Sequence, residues 1–268
     1  MIPQNFDYAA PTSLQEALGL LANENAKPLA GGMSLIPLMK FRFATPEQIV
    51  DLGRLPDLNS VREENGELHI GAMATHYEIE SSPLIRSKCP LLAQTAASIG
   101  DVQVRNMGTI GGSCAHADPA ADYPAALFAL DAKFKLAKAG AERTVPVEEF
   151  FVDTFSTALE PGEIIVEVIV PVEASSTGTS YQKMAHPASG FAVVGVAVRL
   201  GQGLTRVGVT GLAGKAFRAN AVEEHLDPSK IAEGVSPNSD LFASAEYRTQ
   251  LARIYAARAI KEAQSRTS

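Results

Sequence analysis

The chain has 268 residues, 46% of them apolar and 20% charged, with a formal net charge of −7. This is the composition of a globular protein able to bury a core, with room for two modest domains or one large one. The acidic balance and the lack of a basic stripe exclude nucleic acid as an expected partner. No apolar run reaches the length of a membrane span, and Met1–Asp7 has no charged and apolar leader pattern, so a cytoplasmic protein is expected. Two cysteines, Cys89 and Cys114, are too few for a four-cysteine zinc or iron–sulfur site within the chain.

In chain order, Ser13-Leu14-Gln15-Glu16 reads as a capping box followed by Leu14, Leu18 and Leu21 at helical spacing, which predicts a helix over 13–23. Lys27–Ala30 is a short strand feeding a first Gly-Gly turn, Leu35–Lys40 starts a helix, and Gln48–Leu52 is a strand. Glu64-Asn65-Gly66-Glu67 is a hairpin turn before the strand Leu68–Gly71. Pro90–Ala97 is helical by composition, a second Gly-Gly loop follows, and Ala120–Leu130 is a helix running into the strand Lys133–Ala137. The strand Ile164–Val170 is closed by Pro171, and the small polar stretch Glu173–Thr179 is the expected domain boundary. Beyond it, Phe191–Leu200 and Leu204–Leu212 form an antiparallel hairpin across Gly201-Gln202-Gly203. Tyr247–Ala263 is a helix with Tyr247, Leu251, Ile254 and Ala257 on one face, and Ser265–Ser268 is expected to fray.

The chemistry concentrates at two glycine pairs, Ala30-Gly31-Gly32-Met33-Ser34 and Thr109-Ile110-Gly111-Gly112-Ser113. Without Cβ atoms, such pairs let backbone approach a ligand and let N–H groups converge on an anion, with the neighbouring hydroxyl as a further donor. The first pair alone is equally an ordinary turn; it is neither a GxGxxG fingerprint nor a Walker loop. Together the two predict a pyrophosphate gripped from both sides. Asp118 beside Pro119 reads as the cap of the next helix with proline at its first position. Asp122, one turn on, is either a contact to a sugar hydroxyl or heterocycle N–H, or a solvated carboxylate. His116 has no partner at metal-ligand spacing, so no metal site is expected. Cys114 reads as a packing residue, Lys183 on its own as a surface lysine, and no residue as an acid–base catalyst.

The strings Ala30–Lys40, Arg105–Gly112, Ala117–Pro124 and Tyr247-Arg248 closely resemble the FAD-binding medium subunit of the molybdenum hydroxylases, the family of aerobic carbon monoxide dehydrogenase and xanthine dehydrogenase. The resemblance runs in the family's order from Phe6 to the last helix. It implies an α+β protein with a vanillyl-alcohol-oxidase-type FAD-binding fold: two α/β lobes at about 1–55 and 56–175, then a C-terminal domain of antiparallel sheet and helices at 176–268. It further implies non-covalent FAD lying extended between the lobes, held by Pro28, Leu29, Ala30, Gly31, Gly32, Met33, Ser34 and Leu35 on one side. On the other side it implies Thr109, Ile110, Gly111, Gly112, Ser113 and Asp122, with Ile165 and Lys183 approaching the isoalloxazine. The partners implied are a small [2Fe-2S] subunit that delivers electrons and a large molybdenum-cofactor subunit, in a dimer of heterotrimers, with NAD or a quinone as acceptor. The alternative is a stand-alone FAD-dependent oxidoreductase of the same fold. Ser113 stands where many relatives carry Asn or Asp, and His186–Gly190 departs from the family's Arg- and Asp-containing version.

Overall fold

The computed structural model describes residues 2–201 and 203–267. The chain starts with β1 (Asp7–Ala9), α1 (Leu14–Leu21), β2 (Ala26–Leu29), α2 (Leu35–Lys40) and β3 (Gln48–Asp51). The three strands form a parallel sheet in the order β1-β3-β2. Ser13 caps α1 by accepting from the N–H of Glu16, and the Glu16 carboxylate reaches back to the N–H of Thr12, one residue beyond the usual capping-box partner. The helix buries Ala17, Leu18 and Leu21 on the sheet.

A second sheet has the order β4-β5-β10-β6-β7, from β4 (Val61–Glu64), β5 (Glu67–Gly71), β6 (Lys133–Lys138), β7 (Ala141–Pro146) and β10 (Ile164–Pro171). A short α9 (Val147–Phe150) and the small ribbon β8 (Phe151–Asp153) with β9 (Ser156–Thr157) precede β10. Every pairing in the large sheet is antiparallel. This corrects the expectation of two α/β lobes, because only the first unit has a parallel sheet. For the β4–β5 pair the cause is local: Asn65-Gly66, both with positive φ (51° and 80°), closes β4 onto β5 by a two-residue hairpin, and hairpins can only join antiparallel strands.

Between β5 and β6 lie six helices: α3 (His76–Ser81), α4 (Pro83–Lys88), α5 (Pro90–Ala97), α6 (Val102–Met107), α7 (Ile110–His116) and α8 (Asp122–Ala129). Two of them were predicted. The second glycine pair is not a loop, since Gly111 and Gly112 sit in the first turn of α7 with Thr109 as its N-cap. Nor does Asp118 cap α8. Its side chain accepts from the N–H of Ala120 (2.8 Å) in a local turn, and the helix starts at Asp122 with Ala121 as N-cap.

The remaining strands, β11 (Gly178–Ala185), β12 (Ala192–Gly201), β13 (Leu204–Thr210) and β14 (Phe217–Arg218), form an antiparallel sheet in sequence order. The β12–β13 hairpin is as predicted, and its central residue Gln202 lies outside the described residues. After α10 (Asn220–Glu223), the long α11 (Ala245–Arg266) covers this sheet. Its buried stripe is Arg248, Leu251, Ala252, Ala256, Ala259, Ile260 and Ala263, whereas Tyr247, Ile254 and Ala257 of the predicted face are exposed. The close approach of helix to sheet selects alanine: a Cβ on Gly178 would stand 2.0 Å from the Ala263 carbonyl. The end of α11 is anchored rather than frayed. Arg266 donates to Thr179 O (2.7 Å) and Thr267 Oγ1 to Ala263 O (3.0 Å), while Ser268 lies outside the described residues.

α8 joins the second and third sheets. Gly208 of β13 presses on it so closely that a Cβ there would lie 1.9 Å from Ala125 O, and Tyr181 and Ala197 share a hydrophobic core with Leu127 and Phe128.

Candidate cofactor site

A cleft of about 990 Å³ runs between the parallel sheet's loops, the helices of the second sheet and the Ser189–Phe191 loop of the third. That volume lies at the upper end of the range of about 300–1,000 Å³ typical of ligand clefts. Of the residues implied as ligand contacts, Pro28, Ala30, Gly31, Gly32, Met33, Ser34, Leu35, Thr109, Gly111, Gly112, Ser113, Asp122 and Ile165 line it. Leu29, Ile110 and Lys183 stand behind its wall, with Ile110 fully buried.

The first glycine pair follows β2 and turns the chain into α2. Gly31 is pressed against the end of α6, where a Cβ would meet Met107 O at 1.8 Å, and Gly32 adopts φ 73°, a left-handed conformation that L side chains avoid. Among the described residues, the N–H groups of Gly31, Gly32, Met33, Ser34 and Leu35 find no acceptor within the chain; bonding resumes with Ile36 N–H to Gly32 O at 3.1 Å. The Ser34 hydroxyl makes no capping bond. The result is a row of unused donors along the cleft.

The second glycine pair is built differently. The N–H groups of Ile110, Gly111, Gly112 and Ser113 donate to Ala74 O (3.0 Å), Ala72 O (2.9 Å), Thr109 Oγ1 (3.1 Å) and Thr109 O (3.0 Å). Their donors are spent inside the protein, so N–H groups left over for a ligand, expected at both pairs, occur only at the first. Gly111 instead permits contact with Ala72, whose carbonyl would be 2.7 Å from an added Cβ, and a Cβ added at Gly112 would lie 3.4 Å from that of Ala30.

Asp122 is buried at the first position of α8. Its Oδ1 accepts from the Tyr181 hydroxyl (2.5 Å) and pairs with Lys183 Nζ (2.9 Å), which also donates to Gly190 O (2.8 Å). Burial holds the Asp122 carboxyl above its ordinary range, against the opposing pull of Lys183 and the Tyr181 hydroxyl. Lys183 is therefore not a surface lysine: its side chain is 9% exposed, and Asp122 rather than Lys183 meets the cleft.

His76, at the first position of α3, was not singled out by the sequence. It lines the cleft at 3% exposure, and its Nδ1 lies 3.1 Å from the hydroxyl of fully buried Tyr123. Burial, and then the charge of Arg105, push its pKa down to about 4, so the ring is neutral at physiological pH. The only signal available was the capping box of Thr75 and Glu78, which marks a helix start without saying what its first side chain faces. His116 lines the cleft half-buried, with its pKa lowered by burial. Cys89 and Cys114 are buried thiols whose pKa values burial pushes well up, and no cluster of metal-ligating side chains occurs among the described residues. Lys27 is the one lysine or arginine among the described residues lining the cleft, so donors to an anion there come mostly from backbone and hydroxyl groups.

Residues 4–173 match the family described as the FAD binding domain in molybdopterin dehydrogenase. The chain belongs to this family. It is 41% identical to the carbon monoxide dehydrogenase medium chain of Hydrogenophaga pseudoflava, with 99% of each chain covered. It is 37% identical to the glyceraldehyde dehydrogenase medium chain of Sulfolobus acidocaldarius, covering 98% of this chain and 99% of that one. The solved structure of carbon monoxide dehydrogenase from Hydrogenophaga pseudoflava lacking the Mo-pyranopterin moiety of its molybdenum cofactor superposes with a TM-score of 0.94 at 40% identity, covering 100% of both chains.

This FAD-binding oxidoreductase subunit, of the carbon monoxide and xanthine dehydrogenase type, has FAD as its cofactor, and the cleft fits that group. A dinucleotide needs a long cavity, donors for a pyrophosphate and room for backbone approach; the unbonded N–H row from Gly31 to Leu35 and the side-chain-free surface of two glycine pairs meet those needs. Among the described residues no helix is long and apolar enough to cross a membrane.

Proposed function

We propose that the chain is the flavoprotein subunit of a heteromeric molybdenum hydroxylase, which receives electrons from a [2Fe-2S] subunit and passes them to NAD or a quinone. The observation that carries this reading is the row of unused donors in a dinucleotide-sized cleft. FAD supplies the redox chemistry when bound; the protein binds, orients and tunes it. In this reading the N–H groups of Gly31–Leu35 and the hydroxyls of Ser34 and Ser113 hold the pyrophosphate. Gly111 and Gly112 keep the opposite wall flat, and Ile165 borders the isoalloxazine. Asp122, with Oδ1 occupied by Tyr181 and Lys183, offers Oδ2 as an acceptor to the heterocycle. Lys183 acts through Asp122, because its charge is already paired before it reaches the cleft.

In this reading residues 1–175 form a vanillyl-alcohol-oxidase-type FAD domain and residues 176–268 a C-terminal domain. Two buried thiols cannot hold iron–sulfur clusters, so these belong to a small subunit, with a large molybdenum-cofactor subunit selecting the substrate. A cytoplasmic dimer of heterotrimers is the assembly proposed. The test is purification of the native complex with analysis of FAD, iron and molybdenum. One FAD per chain, released into the supernatant by acid precipitation, together with iron and molybdenum in co-purifying subunits, is expected. A chain that purifies alone and turns over a small substrate without iron or molybdenum would make it a stand-alone flavin oxidoreductase.

A further inference from the structure

The wall of the cleft beside the second glycine pair carries a buried imidazole, that of His76. His76 is fixed there from both sides. Its own N–H donates to Gly108 O (2.9 Å), the preceding Thr75 pairs with Thr109 in an antiparallel bridge, and Ile110 N–H donates to Ala74 O (3.0 Å). The imidazole fits because residue 108 is glycine: a Cβ there would stand 2.6 Å from Nε2. His76 and Gly108 both line the cleft.

The two ring nitrogens have different surroundings. Nδ1 faces the Tyr123 hydroxyl at 3.1 Å, while Nε2 has no hydrogen-bond partner among the described residues, and the residue lines the cleft. Tyr123 is fully buried, and His76 Nδ1 is the acceptor its O–H finds among the described residues. A buried hydroxyl left without an acceptor is costly. The Tyr123 O–H therefore donates to Nδ1, and a neutral imidazole that accepts at Nδ1 carries its proton on Nε2.

We propose that His76 is a further FAD-binding residue, donating a hydrogen bond from Nε2–H to an acceptor atom of the dinucleotide beside Gly108, with its tautomer set by Tyr123. The proposal rests on the FAD reading above. It gives the second glycine segment a side-chain donor in place of the backbone N–H groups it has spent internally.

The test is nitrogen-15 NMR of the histidine-labelled full chain, stripped of flavin and then reloaded with FAD. Before loading, the His76 ring shows an unprotonated Nδ1 and a protonated Nε2. On loading, the tautomer stays the same while the Nε2–H proton moves downfield and exchanges more slowly with water. His76→Phe identifies the resonance and weakens FAD binding by roughly two- to tenfold, the net worth of one hydrogen bond. Tyr123→Phe keeps the ring, lets the Nδ1–H tautomer appear and weakens FAD binding with it, a linked pair of changes that a purely packing role for Tyr123 does not produce. If His76→Phe does not fold, the wild-type spectra decide alone. FAD uptake with an unmoved Nε2–H signal, or an Nε2 found unprotonated, overturns the His76 assignment and leaves the FAD reading standing. A chain that takes up no FAD overturns both.

Discussion

The two glycine pairs have nearly the same sequence and do different physical work. At Gly31-Gly32 the chain leaves a strand, takes a left-handed φ and leaves five successive N–H groups without an internal acceptor. At Gly111-Gly112 the chain is helical, its N–H groups are all bonded, and glycine serves to bring α7 against Ala72 and Ala30. One pair makes a donor surface; the other makes a close contact that leaves a wall without side chains. What a Gly-Gly pair contributes is thus set by whether its N–H groups have acceptors nearby, and that is a property of the surrounding fold.

The sharpest test of this contrast is a methyl group at each site. In Gly31→Ala the new Cβ would lie 1.8 Å from a backbone oxygen of Met107, and in Gly111→Ala it would lie 2.5 Å from Ala72 Cβ and 2.7 Å from its carbonyl. Both replacements overpack backbone against backbone, at a cost of about 3 kcal/mol or more. The first displaces the donor row itself, so FAD affinity and thermal stability fall together. The second lowers stability by a similar amount while the folded fraction retains most of its FAD affinity. Calorimetry and flavin fluorescence titration on the two variants check this, and a Gly111→Ala chain of normal stability that cannot hold FAD would break the comparison.

A slightly smaller effect separates the segments by pH. His76, stitched to the second segment, has a folded pKa of about 4 against 6.5 for the free side chain. Between these values the unfolded chain binds the extra proton, so the stability contribution is complete above pH 6.5 and is lost progressively as pH falls toward 4. At about 1.4 kcal/mol per unit the loss amounts to about 3 kcal/mol. His76→Phe should flatten this acid limb in denaturant titrations at several pH values, whereas changes in the first segment, which has no titrating group, leave it in place. An unchanged limb in His76→Phe would mean another group carries it.

The smallest effects form a crossed pair. Thr109→Ala removes the hydroxyl that accepts from Gly112 N–H and should cost about 1 kcal/mol of stability, as a lost N-cap does, with little change in FAD affinity. Ser34→Ala removes a hydroxyl that makes no capping bond, so stability of the flavin-free chain should hold while FAD affinity drops by about fivefold, the worth of about 1 kcal/mol. Measured side by side, the two variants show whether structure and binding are divided between the segments as the hydrogen bonds indicate.

Much of this molecule is written in short-range signals. The Asn65-Gly66 hairpin, the Ser13 cap, the strand ending at Pro171 and the β12–β13 ribbon are all decided by residues adjacent in sequence, where turn chemistry and alternation act directly. So are the two glycine pairs as places where backbone comes close to something. Helix α11 marks the limit: its large apolar side chains suggested one face, but a sheet packed at alanine distance buried another, with Arg248 donating to Val193 O and Gly211 O from within it.

The sequence by itself determined the α+β character, the family and the cofactor, because these rest on local pattern and on strings held in order along the chain. Only the tertiary structure decided which glycine pair offers donors, that Lys183 is neutralised by Asp122 behind the wall, and that His76 faces the cleft. Each of those depends on a partner far away in sequence: Ala72 for Gly111, Asp122 for Lys183, Tyr123 for His76. A donor's availability and a charge's effective strength are set by what stands within a few ångströms in space, and chain neighbours do not specify that.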